Sequence, residues 1–138
     1  MNVGVAGLRF GLSWAQVFNA YNETNLTAIC DTDLEKLDEA RALLGVASGS
    51  ESFDELLEDE RIEAIALFTP APLHAEQSIK AIQAGKHVLC AVPAVMDMEE
   101  ARSLVEVASQ SDRTYMMAEN WIYEPCLLYT SDAADDTP

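Results

Sequence analysis

The stretch from Val3 to Asp31 constrains the fold more than any other part of this chain. It begins Val-Gly-Val-Ala-Gly-Leu-Arg-Phe-Gly, passes through an amphipathic segment, and closes on Leu26-Thr-Ala-Ile-Cys-Asp31. A continuous apolar run, a glycine turn, a helical pattern and a second apolar run together read as a buried β-α-β unit. A strand that turns on glycine into a helix presents free N–H groups and a positive dipole end to an anion. An acid about twenty residues further on is placed to accept hydrogen bonds from a ribose. The unit therefore suits a dinucleotide, with one flaw. Arg9 and Leu12 stand where the Gly-x-Gly-x-x-Gly pattern has its second and third glycines.

The remaining chain repeats the alternation. Strand-like runs occur at Asn2–Ala6, Leu26–Asp31, Ala64–Phe68, His87–Cys90 and Thr114–Met117. Between them, Trp14, Val17, Phe18 and Tyr21 fall at helical spacing and read as a core-facing stripe. Leu34, Leu37 and Leu44 mark a second helix, with Asp31-Thr32-Asp33 as cap candidates and Gly45 as its stop. Phe53, Leu56 and Leu57 mark a short third helix. Ala75, Ile79 and Ile82 line a fourth that ends at Gly85, and Ala101, Leu104, Val105 and Ala108 a fifth that opens at Asp97. Strands alternating with helices predict an α/β, doubly wound parallel sheet. The five runs are expected in the order 3-2-1-4-5, with the ligand crevice at the switch point.

At 138 residues the chain holds one domain. We assign 1–118 to it, 119–125 to the start of a connection to a missing second domain, and 126–138 to a non-native tail. Beyond Pro125 neither period continues, and the tail resembles translated sequencing-adapter read-through; a native acidic tail is the alternative. The net charge of −16 excludes nucleic acid and anionic membranes as partners, because no basic stripe offsets it. No apolar run approaches the ~20 residues of a membrane helix, and no export signal opens the chain. The three cysteines, Cys30, Cys90 and Cys126, have no metal-ligand spacing. Reduced thiols and a cytoplasmic location are expected.

Two residues refine the site. A side chain in place of the second glycine pushes phosphates outward. Arg9 either reaches over them with its fork of donors or points into solvent. Asp31 favours a free ribose hydroxyl and repels a 2′-phosphate, which argues for NAD over NADP. The alternative reading of Asp31 is a plain helix cap.

Further motifs lie downstream. Thr69-Pro70 follows the third run, His74 opens the next helix, Ala84-Gly85-Lys86-His87-Val88-Leu89-Cys90 leads into the fourth run, and Pro93 follows it. With the opening turn and Asp31, this series resembles the N-terminal domain of the Gfo/Idh/MocA oxidoreductases from Val3 to about Pro125. The resemblance implies a Rossmann fold that holds NAD(P). It also implies a second domain that holds substrate and often forms the oligomer interface, and hydride transfer to or from a sugar or polyol carbon. By the same resemblance Gly7, Arg9, Phe10 and Gly11 face the pyrophosphate and Asp31 the adenosine ribose. Thr69, Pro70 and His74 line the cleft, with Pro93 at the turn beyond the fourth run.

The chain also departs from that pattern. Ala91-Val92-Pro93 stands where the family reads Glu-Lys-Pro, so the lysine that assists proton transfer is replaced by valine. Ala71 replaces a common asparagine. Glu119 and Asn120 follow the last run and either touch the nicotinamide end or cap a helix. His87 is read as satisfying local backbone groups and Cys90 as a small buried hydrophobe. No catalytic or metal-binding residue is assigned.

The function expected is the NAD-binding domain of an oxidoreductase for sugar or polyol hydroxyls and ketones, inactive alone and weak in cofactor affinity. A small-molecule substrate and a homo-oligomer belong to the full-length protein. A non-catalytic dinucleotide sensor or scaffold is the alternative, and a methyltransferase-like nucleotide module is a third reading. Trp121, Ile122 and Tyr123 are expected in an apolar surface where the second domain packs.

Overall fold

The computed structural model describes residues 1–120. Trp121, Ile122, Tyr123, Cys126 and the tail lie outside the described residues. Six strands make one parallel sheet: β1 (Asn2–Ala6), β2 (Asn25–Cys30), β3 (Ser48–Ser50), β4 (Ala64–Leu67), β5 (His87–Cys90) and β6 (Tyr115–Met117). Their order is β3-β2-β1-β4-β5-β6. The connecting helices are α1 (Leu8–Ala20), α2 (Leu34–Leu44), α3 (Phe53–Glu58), α4 (His74–Gln83) and α5 (Met98–Ser109), with a 3-10 turn over Ala71–Leu73 before α4.

Side-chain alternation along the strands feeds two apolar layers. Val3, Val5, Ile29, Ala66 and Phe68 pack against Leu8 and Ala15 of α1 and Leu37, Ala40 and Leu44 of α2. Ala6, Ile65, Leu67, Val88 and Cys90 pack against Leu56 of α3, Ala81 and Ile82 of α4 and Leu104 of α5. The sheet is thus covered on both faces, which is why its central strands read as unbroken apolar runs. The doubly wound α/β architecture is as expected.

Three expectations need correction. The order 3-2-1-4-5, applied to the five visible runs, puts Ala64–Phe68 outside the second strand. The structure instead pairs β4 with β1, Val3 opposite Ala64 and Ala6 opposite Leu67. The outer place beside β2 belongs to Ser48-Gly49-Ser50, three small residues that carry neither alternation nor an apolar run.

The stripe on α1 is also displaced. Leu8, Gly11 and Ala15 are its buried residues; of the predicted stripe, Trp14 and Phe18 pack partly buried against the core, while Val17 and Tyr21 are exposed. Small residues at 11 and 15 let the helix lie close to the sheet, and that proximity sets which line faces inward. On α5, Leu104 is buried but Val105 is exposed, and Val107 takes the inward position.

Candidate cofactor site

The strand–helix turn is built on Gly7, which adopts φ 87°. Its N–H donates to the Cys30 carbonyl at 2.8 Å, tying the turn to the end of β2. A Cβ here would lie 2.5 Å from the carbonyl carbon and oxygen of Phe68, so no side chain fits. Gly11 has a different task. A Cβ on it would meet the Phe68 side chain at 2.8 Å, so its absence seats α1 against the exit of β4. Close helix–strand packing is the service expected of the third glycine of a dinucleotide fingerprint. Gly11 performs it one position early, which explains how Leu12 is tolerated.

Asp31 lies just past β2, half-buried. Its Oδ2 accepts the Leu8 N–H at 2.7 Å and its Oδ1 the Asp33 N–H at 2.9 Å. Gly7 provides no side-chain cap for α1, so the carboxylate caps that helix from the neighbouring strand. The cap reading of Asp31 therefore holds for α1, whereas α2 is capped by Asp33, which accepts from Lys36 N–H at 3.3 Å. A carboxylate has about four lone-pair sites, so both oxygens retain capacity toward a ribose. At the start of α1, Gly11 N–H bonds the Gly7 carbonyl. The Arg9 and Phe10 N–H groups have no hydrogen-bond partner among the described residues and remain open to an anion. The Arg9 side chain is exposed and lines a groove of about 320 Å³ with Leu12 of α1 and Lys36 and Glu39 of α2.

Across the switch point between β1 and β4 lies a cleft of about 290 Å³ at the carboxyl edge of β4, β5 and β6. Phe10 and Trp14 of α1 form one wall, Thr69, Ala71 and His74 another, and Val92 and Asn120 close it. Trp14 stacks on Phe68 with ring centroids 5.4 Å apart, and Phe10 meets the same ring edge-on at 5.8 Å. Trp14 is thus half-buried, packed against the core on one side and lining the cleft on the other. The sequence pattern missed this because helical spacing cannot distinguish a core position from one beside a cleft. Thr69 Oγ1 donates to Gln77 Oε1 at 2.5 Å. Pro70 opens the 3-10 turn and is exposed, as is Pro93. The Val92–Pro93 peptide is cis.

His74 is 2% exposed. Its Nδ1 lies 2.7 Å from the Pro93 carbonyl oxygen and its Nε2 2.7 Å from that of Thr69. Both nitrogens are committed to backbone, so the ring forms part of the cleft wall. The Lys86-His87 segment also has local partners. Lys86 Nζ donates to the Asp59 and Ile62 carbonyls at 2.8 Å each, and His87 Nδ1 accepts the Thr114 N–H at 3.0 Å. His87 therefore satisfies backbone groups as expected. Cys30 and Cys90 are buried, free thiols. Burial, with the nearby Asp31 and Glu55 charges, pushes Cys30 up to about 11, and burial raises Cys90. Both stay neutral and are not nucleophiles. Among the described residues no cluster of His, Cys, Asp or Glu could hold a metal, and no helix is long and apolar enough to cross a membrane.

Residues 1–119 match the family described as an oxidoreductase family with an NAD-binding Rossmann fold. The chain belongs to the Gfo/Idh/MocA family. It is an NAD-binding Rossmann domain of that family's oxidoreductases. A scyllo-inositol dehydrogenase from Lactobacillus casei, solved with NAD(H) and scyllo-inositol, superposes at a TM-score of 0.90 and 25% identity over 98% of this chain and 41% of its own. A 3-ketoreductase from Actinomadura kijaniata, solved with NADP, superposes at 0.89 and 28% identity over 99% of this chain and 43% of its own. In sequence, a glycosyl hydrolase family 109 protein of Shewanella amazonensis is 30% identical over 89% of this chain and 29% of its own length. The Gfo/Idh/MocA chain described here thus spans well under half of these proteins.

Proposed function

We propose that this domain serves NAD(H) in an oxidoreductase that interconverts a hydroxyl and a ketone on a sugar or polyol. The substrate would be held by a second domain of a longer protein. The observation that carries the reading is the split site. Asp31 is seated against the glycine turn on the β2 side of the switch point, and an aromatic-walled cleft opens on the β4 side. An extended dinucleotide spans such a division, with adenosine toward one end and nicotinamide toward the other. Of the predicted residues, Gly7, Phe10, Gly11, Asp31, Thr69 and His74 shape these two halves directly. Pro70 and Pro93 shape the loops, and Arg9 stands at the outer rim of the turn.

Several features support a fit to NAD. The Arg9 and Phe10 N–H groups point from a helix start, where pyrophosphate is stabilised. Asp31 is anchored by two N–H donors, so it is oriented before a ribose arrives, which lowers the ordering cost of binding. Its charge disfavours a 2′-phosphate, and we propose NAD over NADP. When bound, the nicotinamide supplies the hydride donor or acceptor. Phe10, Trp14 and Val92 give that end an apolar wall, and Val92 can neither give nor take a proton.

Acid–base groups for turnover are therefore assigned to the second domain, as are substrate contacts and any homo-oligomer interface. Neutral, unpaired Cys30 and Cys90 support a cytoplasmic location. Val92 also favours a second reading, a dinucleotide sensor or scaffold without turnover. Adding NADH to the intact chain tests the cofactor role. Quenching of Trp emission by NADH, with NAD binding tighter than NADP by calorimetry, is expected. No optical or calorimetric response at about millimolar NADH would remove the proposal. An assay of the full-length protein for NAD reduction by polyols separates enzyme from sensor.

A further inference from the structure

The chemistry at His74 is not that of a ligand-facing imidazole. The ring sits in the first turn of α4, almost wholly buried, yet both nitrogens reach backbone oxygens of other loops at 2.7 Å. Thr69 belongs to the loop after β4 and Pro93 to the loop after β5. Those two loops carry the cleft residues Thr69, Ala71 and Val92.

We propose that His74 is a positioning residue that straps the β4 and β5 loops together and so sets the width of the nicotinamide half of the site. This inference rests on the NAD reading above and assigns no catalytic step to the ring. The physical argument is one of satisfaction. Part-buried carbonyl oxygens beside a cleft lose free energy if they lack donors. An imidazole is rigid, so one ring held 2.7 Å from both oxygens fixes their separation, and it donates to both carbonyls when both ring nitrogens carry a proton. Asparagine places an amide N–H near the Nδ1 position and glutamine near the Nε2 position, so each can keep one arm of the strap.

The strap acts on only one end of the dinucleotide. The Gly7 turn and Asp31 are held by separate contacts to Cys30, Leu8 and Asp33. The test therefore compares NADH with ADP-ribose, which lacks the nicotinamide, on the intact chain carrying His74→Ala, His74→Asn or His74→Gln. With Ala, NADH affinity should fall about tenfold while ADP-ribose affinity stays within about twofold. Asn and Gln should each recover part of the NADH loss. Equal losses for both ligands would assign His74 a merely structural role and overturn the proposal, as would an unchanged NADH affinity. If the Ala variant does not fold, the Asn and Gln variants decide by the same NADH to ADP-ribose ratio. Failure of the unsubstituted chain to bind either ligand would instead overturn the NAD reading, and the strap with it.

Discussion

A methyl group at Gly7 would have to occupy space already held by the Phe68 carbonyl, and at a φ that side chains avoid. Gly45 shares the positive φ, at 68°, but has nothing within 4 Å of an added Cβ. The pair separates conformational cost from collision. Gly45→Ala should cost about 1 kcal/mol, the left-handed penalty alone. Gly7→Ala adds a backbone clash and should cost about 3 kcal/mol or more, with loss of NADH binding. Urea denaturation of both variants measures this, and equal destabilisation would show that the contact with Phe68 does not matter.

At the scale of elements, α1 shows why hydrophobic spacing alone misled. Trp14, Val17, Phe18 and Tyr21 form a regular stripe, but the sheet is approached through Gly11 and Ala15, one of them 0% exposed. Ala15→Leu should cost about 1–3 kcal/mol by overpacking. Val17→Glu should stay within about 0.5 kcal/mol, as an exposed substitution does. Thermal denaturation of the two variants checks the assignment, and a reversed ranking would show that α1 meets the sheet through Val17 and not through Ala15. The other misreading had a similar origin. A small residue contributes position without hydrophobic signal, so Ser48-Gly49-Ser50 could close the sheet edge unnoticed. Where bulky residues alternate with Gly and Asp, as from Val3 to Asp31, local sequence and tertiary role agree and the unit was readable. Trp14 was not, because the cleft it faces is made by residues about fifty to a hundred positions away.

For the molecule as a whole, buried thiols and a buried phenol make the folded state sensitive to alkali. Cys30 ionises near 9.0 in an open environment but only at about 11 when folded. Cys90 and Tyr115 are shifted in the same direction, chiefly by burial. A raised folded value means the unfolded chain loses its proton first. Stability is thus fully present below about pH 9 and is lost as pH rises toward 11, on the order of 2 kcal/mol for Cys30 alone. Urea midpoints should decline across that interval, and Cys30→Ala should flatten part of the decline. A midpoint independent of pH between those limits would show that the thiol is not protected by folding.

The bond between Asp31 and the Leu8 N–H carries a consequence for how this domain can diverge. The residue proposed to select the ribose is also the one that caps the first helix. Exchange of Asp31 for a small or basic residue that admits a 2′-phosphate would leave the start of α1 without its side-chain cap, at a cost of about 1 kcal/mol. A change of cofactor preference is therefore expected to need a second substitution that restores the cap, such as serine or threonine nearby. Lineages that drift toward NADP would have to cross that two-step barrier, so the helix cap acts as a brake on the drift of cofactor choice.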